Sequence, residues 1–182
     1  YFWPEETATS EVLSGIAFSL ADKGIPVAAL AGQPAYRGAG SKLPARLEHR
    51  GVAVRRVWST QLDKNRAVGR ALNTVTFAAA TFLHCLSGPR PSLVVSVTNP
   101  PSLLWTVWLL RKLRGVPYVP IIHDMYPQIA TAIGKIRSGS LLDRLWAALN
   151  RAVYRGATRI VVPGACMADV LRAQLPADMR DK

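Results

Sequence analysis

The sequence predicts an α/β domain built on a parallel β-sheet with helices on both faces. Two observations carry this. Short apolar runs recur along the chain, separated by segments whose apolar residues fall three and four apart. Strand-length runs alternating with helix-length segments indicate βαβ units, and their right-handed crossovers place helices on each face of a parallel sheet. A third observation bounds the size: 182 residues, 49% hydrophobic and 19% charged, suffice for one domain with its own core.

The elements follow in order. Thr9 or Ser10 caps a first helix, Glu11 suits the positive end of its dipole, and Val12, Leu13, Ile16, Ala17 and Leu20 recur at helical spacing. Lys23-Gly24 closes it, and 27–31 is an apolar strand. Residues 33–42, rich in Gly, Pro and Ser, form a loop. Val52, Val54 and Val57 mark a second strand, and 66–86 a long helix. Residues 93–97 read as a strand buried on both faces. Pro100-Pro101 opens the next helix, which Arg111, Lys112, Arg114 and Gly115 complement and stop. A strand at 118–122 runs into His123-Asp124. Ser140 with Asp143 forms a capping box for a helix whose Leu142, Leu145, Trp146, Leu149 and Val153 make one apolar stripe, ending at Gly156. A strand at 159–162 and a short helix at 168–175 complete the pattern.

Composition narrows the function. Lys and Arg number 23 against 11 acids, a net charge of +12 that favours an anionic partner: nucleic acid, membrane surface or phosphorylated substrate. Cys85 and Cys166 have no partner spacing, so neither a disulfide framework nor a zinc site is expected. Tyr1 and the polar run to Lys182 read as cuts through a longer protein. No apolar run reaches the roughly 20 residues of a membrane-spanning helix.

In open parallel sheets ligands sit beyond the carboxyl ends of the strands, which directs attention to loops near 1–9, 32–40, 98–101, 123–128 and 163–166. No dinucleotide fingerprint is present; Gly38-Ala39-Gly40-Ser41-Lys42 lacks the Gly-Lys-Ser/Thr order of a phosphate loop. There is no Gly-x-Ser-x-Gly elbow and no metal-binding pair among His49, His84 and His123. His123 stands out because a buried strand ends there, although a backbone-bonded histidine explains it as well. Asp124 reads equally as a turn or helix cap. The helix at 66–86 is apolar around much of its circumference and follows Lys64, Arg66 and Arg70. It suits either an anionic membrane surface or burial against other protein.

Several segments, in the same order, resemble glycosyltransferase family 4, and in particular bacterial members that build colanic acid, O-antigen and related surface polysaccharides. They are Tyr1-Phe2-Trp3-Pro4-Glu5-Glu6-Thr7-Ala8-Thr9, Gln33-Pro34-Ala35-Tyr36, Arg70-Ala71-Leu72-Asn73-Thr74-Val75-Thr76-Phe77, Val97-Thr98-Asn99-Pro100-Pro101, His123-Asp124-Met125-Tyr126-Pro127-Gln128 and Ala152-Val153-Tyr154-Arg155-Gly156-Ala157.

The resemblance implies that residues 1–182 are the N-terminal, acceptor-side, Rossmann-like half of a GT-B fold. Its first strand would precede Tyr1, and its donor-binding domain would follow Lys182. It implies a retaining transfer from a nucleotide-sugar to a lipid-linked or saccharide acceptor, with no metal cofactor. His123 matches the family's active-site histidine. Thr7, Ala8 and Thr9 stand where many members carry a Gly-Gly pair near the donor phosphates. Asn99, Asp124 and Tyr126 join them as expected substrate-binding residues. Lys64, Arg66, Arg70, Phe77 and Phe82 are the expected membrane contacts, on the cytoplasmic face of the plasma membrane. Two rival readings remain: a basic nucleic-acid-binding α/β domain, which base-stacking aromatics on a basic face would support, and a non-catalytic scaffold. The leading reading expects no nucleic-acid partner.

Overall fold

The structure, a computed structural model, describes residues 1–33, 43–63 and 65–179. Lys64 and the Gly38–Lys42 segment lie outside them, as do Pro34, Ala35 and Tyr36. The chain divides into two compact units, Tyr1–Thr81 and Phe82–Lys182.

The first unit contains α1 (Ala8–Asp22), β1 (Val27–Ala31), β2 (Arg46–His49), β3 (Val52–Arg56) and most of α2 (Ala67–Ser87). β1 and β3 pair in parallel, Val27 beside Val52 and Ala31 beside Arg56. β2, absent from the sequence reading, pairs antiparallel with β3 through the two-residue turn Arg50-Gly51. Both turn residues have positive φ, 48° and 73°, the twist that a tight hairpin needs. The polar run Arg46-Leu47-Glu48-His49 carries too few apolar residues to announce a strand; the hairpin hydrogen bonds form it.

The first helix begins earlier than expected. Thr7, not Thr9 or Ser10, is the N-cap, its Oγ1 accepting from the Ser10 amide at 3.2 Å. The buried face also differs, comprising Ser10, Ser14, Ala17 and Phe18, while Val12 and Ile16 are exposed. Small residues let α1 lie close to β1 and β3, and Phe2, Phe18, Ala31, Val52 and Val54 fill the core between them.

The second unit contains the last turns of α2, then β4 (Val94–Val97), α3 (Ser102–Arg114), β5 (Tyr118–Ile121), α4 (Gln128–Ala132), α5 (Leu141–Gly156) and α6 (Ala165–Gln174), followed by a 3-10 turn at Ala177–Met179. β4 and β5 are parallel, Val94 beside Tyr118. The strand expected at 159–162 is reduced to one parallel bridge, Val161 beside Ile121. The strand predicted to be buried on both faces is not: Val95 is 42% exposed, while Ser96 and Val97 are buried. The five predicted parallel strands therefore belong to two separate sheets, β1-β3-β2 and β4-β5.

α3 packs on this second sheet and on α5, burying Leu104, Val107, Tyr118, Ile122, Val153 and Tyr154. Gly115 ends α3 in the left-handed conformation, φ 65°. Arg114 donates to the carbonyls of Cys85 and Gly88 at 2.5 and 2.9 Å, and Arg90 donates to the carbonyl of Gly115 at 2.9 Å. At the start of α5 half of the predicted capping box forms: Asp143 N donates to Ser140 Oγ at 3.3 Å, but the Asp143 carboxylate accepts from Gly139 N at 2.8 Å, not from Ser140 N, which donates to the Arg137 carbonyl. Its predicted stripe is split. Asn150, Val153 and Tyr154 are buried, whereas Leu142, Leu145 and Leu149 are exposed.

Candidate functional site

Within the second unit the ends of β4 and β5 are joined by one hydroxyl. Thr98, 2% exposed, accepts at Oγ1 from the backbone amides of both His123 and Asp124, each at 3.1 Å. Two donors on one acceptor fix the turn in which β5 ends, so the His123 side chain leaves the sheet in a set direction. His123 is half-buried, and its Nδ1 is buried with no hydrogen-bond partner among the described residues. The backbone-bonded side chain of the plainer reading is thus not what Nδ1 shows. Asn99 and Asp124 are half-buried in the same two loops.

The segment after His123 is held from below. Asn150 Nδ2 donates to the Tyr126 carbonyl at 2.7 Å, and Trp105 Nε1 donates to Asn150 Oδ1 at 3.3 Å. The Tyr126 ring lies parallel to Trp146, centroids 5.4 Å apart and planes 4° apart, and Trp105 meets Trp146 edge to face. Beside them opens a cleft of about 300 Å³ lined by Met125, Tyr126, Gln128, Asn150, Arg151 and Tyr154, among others. At its margin the side-chain amides of Gln128 and Gln174 meet at 2.8 Å. Burial pushes the Tyr154 phenol up to about 12, so it stays neutral and protonated at physiological pH. Amides, one arginine and aromatic faces suit a polyhydroxylated ligand.

In the first unit, Thr7, Ala8 and Thr9 form the start of α1. The Thr7 hydroxyl already serves as the cap; Ala8 is exposed and Thr9 half-buried. The loop before them is fastened by Arg56. This residue is 6% exposed and donates to the Gly32 carbonyl at 2.9 Å and to the Trp3 carbonyl. It thereby ties the carboxyl ends of β1 and β3 to the entry of α1. Burial draws the Arg56 guanidinium below its ordinary range, while the charge of Glu5, also buried, acts against that shift. Trp3 stacks on His49 at 3.7 Å.

The expected membrane residues are placed separately. Arg66 and Arg70 are exposed at the start of α2. Phe77 and Phe82 are half-buried, and the Phe77 ring is 3.7 Å from where a β-carbon on Gly32 would stand. The outward face of α2 is carried instead by Val68, Leu72, Val75 and Leu83, each at least 45% exposed. Among the described residues no helix is long and apolar enough to cross a membrane, and no three His, Cys, Asp or Glu side chains are grouped to hold a metal.

The sequence reading missed Thr98, Asn150 and Arg56. Two left a signal. Arg56 falls in the inward phase of Val52 and Val54, and Asn150 interrupts the face shared by Trp146 and Val153. A charged or amide group in a buried phase needs a partner. Thr98 left none, since a threonine after a strand is commonplace.

Comparison with known proteins shows the family. The glycosyl transferase 4-like domain family matches residues 7–180. A protein of Pseudomonas aeruginosa described as "Probable glycosyltransferase WbjE" is 33% identical over 115 residues, covering 62% of this chain and 28% of that protein. The chain thus matches little more than a quarter of that relative's length. It is a Rossmann-like α/β chain with parallel strand pairing, and it belongs to the glycosyl transferase 4-like family.

Proposed function

We propose that this chain is the acceptor-side part of a retaining glycosyltransferase. It moves a sugar from a nucleotide-sugar to a lipid-linked acceptor during cell-surface polysaccharide synthesis. The observation that carries this is His123: a side chain aimed by Thr98 from a strand end, with a buried and unpartnered Nδ1, in a family of sugar transferases. In the reaction the bond from the anomeric carbon to the leaving phosphate breaks, and a bond from that carbon to the acceptor oxygen forms on the same face. The acceptor hydroxyl's proton passes to the leaving phosphate. His123 orients the donor sugar through a hydrogen bond, so that reacting atoms are held together without a bimolecular search. Cations and helix N-termini stabilise the leaving diphosphate, mainly from the family's donor-binding domain.

The lipid-linked acceptor places the enzyme on the cytoplasmic face of the membrane, where the +12 charge favours anionic lipid. The lipid contact includes Lys64, Arg66, Arg70 and the outward face of α2. The test is transfer of labelled sugar from nucleotide-sugars to a polyprenyl diphosphate-linked acceptor by the intact protein in excess chelator. Product with the donor's anomeric configuration is expected. Inversion of the anomeric centre overturns the retaining assignment, and complete loss of activity in chelator overturns the metal-independent one.

A further inference from the structure

A helix of a folded domain ordinarily turns its leucines inward. α5 turns all four of its leucines outward: Leu141, Leu142, Leu145 and Leu149 are 73%, 57%, 53% and 40% exposed. Leu141, Leu145 and Leu149 recur at i, i+4 and i+8, a continuous stripe along the solvent side. The inner face is already satisfied by Asn150, Val153 and Tyr154, so this stripe is a second apolar face and not a displaced core.

Directly beside it runs a stripe of cations. Arg144, Arg151 and Arg155, spaced by seven and four residues, are all exposed on the adjoining edge of the same helix. The acid of this helix, Asp143, is turned to its cap, accepting from Gly139 N. At its C-terminal end the cationic edge reaches a hollow of about 460 Å³ lined by Trp108, Arg111, Lys112, Arg155 and Thr158, with no carboxylate in its wall.

We propose that this outward face of α5 lies on an anionic phospholipid surface. The leucines enter the boundary between headgroups and acyl chains. The arginines and the basic hollow receive lipid phosphates. Apolar residues flanked by cations are the composition of an interfacial helix. A second copy of the chain is the poorer occupant, because the arginine edge would meet no acid on the same face. The inference rests on the membrane association proposed above but assigns it a different surface, in the other unit from most of α2.

The test is co-flotation of the intact protein with vesicles of phosphatidylglycerol and phosphatidylcholine, compared with phosphatidylcholine alone. Three double variants are used: Leu145→Ser/Leu149→Ser, Arg144→Glu/Arg155→Glu, and Val75→Ser/Leu83→Ser in α2. Circular dichroism checks their folding. Both α5 variants are expected to lose about tenfold or more in partition onto anionic vesicles. Should the leucine variant not fold, the arginine variant, altered only at exposed charges, decides alone. Parental flotation of the α5 variants, with loss in the α2 variant, overturns this inference and leaves the earlier membrane reading standing. No flotation of the parent protein, or equal flotation on neutral vesicles, overturns both. A change of oligomeric state in the leucine variant with flotation intact identifies the face as a protein interface and also overturns it.

Discussion

At the scale of single residues, the proposed function turns on what Thr98 and His123 do together. If His123 positions the donor sugar, His123→Asn in the intact enzyme should keep the fold and lower turnover by about 100- to 1,000-fold, the worth of one oriented catalytic contact. Affinity for the free nucleotide should hold, because the proposal puts that site in the other domain. Turnover within about threefold of the parent, roughly 0.7 kcal/mol, would mean that His123 only fills space. Thr98→Val removes the acceptor for two backbone amides. It should cost about 2–6 kcal/mol in unfolding free energy, since each of the two stranded, partly buried donors costs about 1–3 kcal/mol. Thr98→Ser should restore both stability and turnover; failure of the serine variant to do so would show that the methyl group, not the hydroxyl, matters. Tyr154 gives a pH prediction. Its folded-state pKa is raised from 10.0 to about 12 by burial. Its contribution is therefore fully present below pH 10 and is lost as the pH rises towards 12. A two-unit shift corresponds to about 2–3 kcal/mol. Chemical denaturation at pH 9 and pH 11.5 should show that fall, and Tyr154→Phe should shrink it. Tyr118, raised in the same direction by burial, contributes with the same sign.

At the scale of elements, the ends of helices and the contacts beneath them set stability. Ser140→Ala removes the cap of α5 and should cost about 1 kcal/mol in denaturant titration; no change would show that Asp143 and Gly139 hold that end without it. Gly69 is the one buried residue of α2, and a β-carbon there would run into the Asp63 carbonyl. The segment before α2 is pressed against that helix by Asn73, whose amide exchanges hydrogen bonds with both Leu62 N and Leu62 O at 2.9 Å. Gly69→Ala should therefore destabilise by about 1–3 kcal/mol, the usual cost of overpacking. A variant as stable as the parent would mean that the 60–63 segment can move aside.

At the scale of the whole molecule, the reading as one part of a two-domain enzyme makes a direct prediction. The 182-residue chain by itself should transfer no sugar, since the proposed reaction takes its donor-phosphate ligands from the second domain. Turnover of a nucleotide-sugar by this chain alone would defeat that division of labour. Membrane attraction is also a property of the whole charge distribution. Partition onto anionic vesicles should weaken as salt is raised from 0.1 to 1 M, because the screening length falls from about 10 Å to about 3 Å.

The alternation of apolar periods was enough to determine that strands and helices succeed one another and that β1 with β3, and β4 with β5, run parallel. Periodicity records which residues are apolar, and for β4 and β5 a parallel crossover follows from the intervening α3; between β1 and β3 the described residues hold β2 and no helix. The strand end at His123 was legible for the same reason: a run of apolar residues stops there. Which face of a helix is covered was not legible. α1 buries two serines and exposes Val12, and α5 turns a leucine stripe to solvent, because burial depends on which neighbour arrives and not on the helix alone. The β2 strand came only from its hairpin partner, and the 159–162 strand dwindled for want of more than one bridge. The partners of Thr98, Asn150 and Arg56 are separated by 24 to 53 residues. Local sequence carries no trace of such pairings; only the folded chain, by placing an acceptor within reach of a distant donor, decides them.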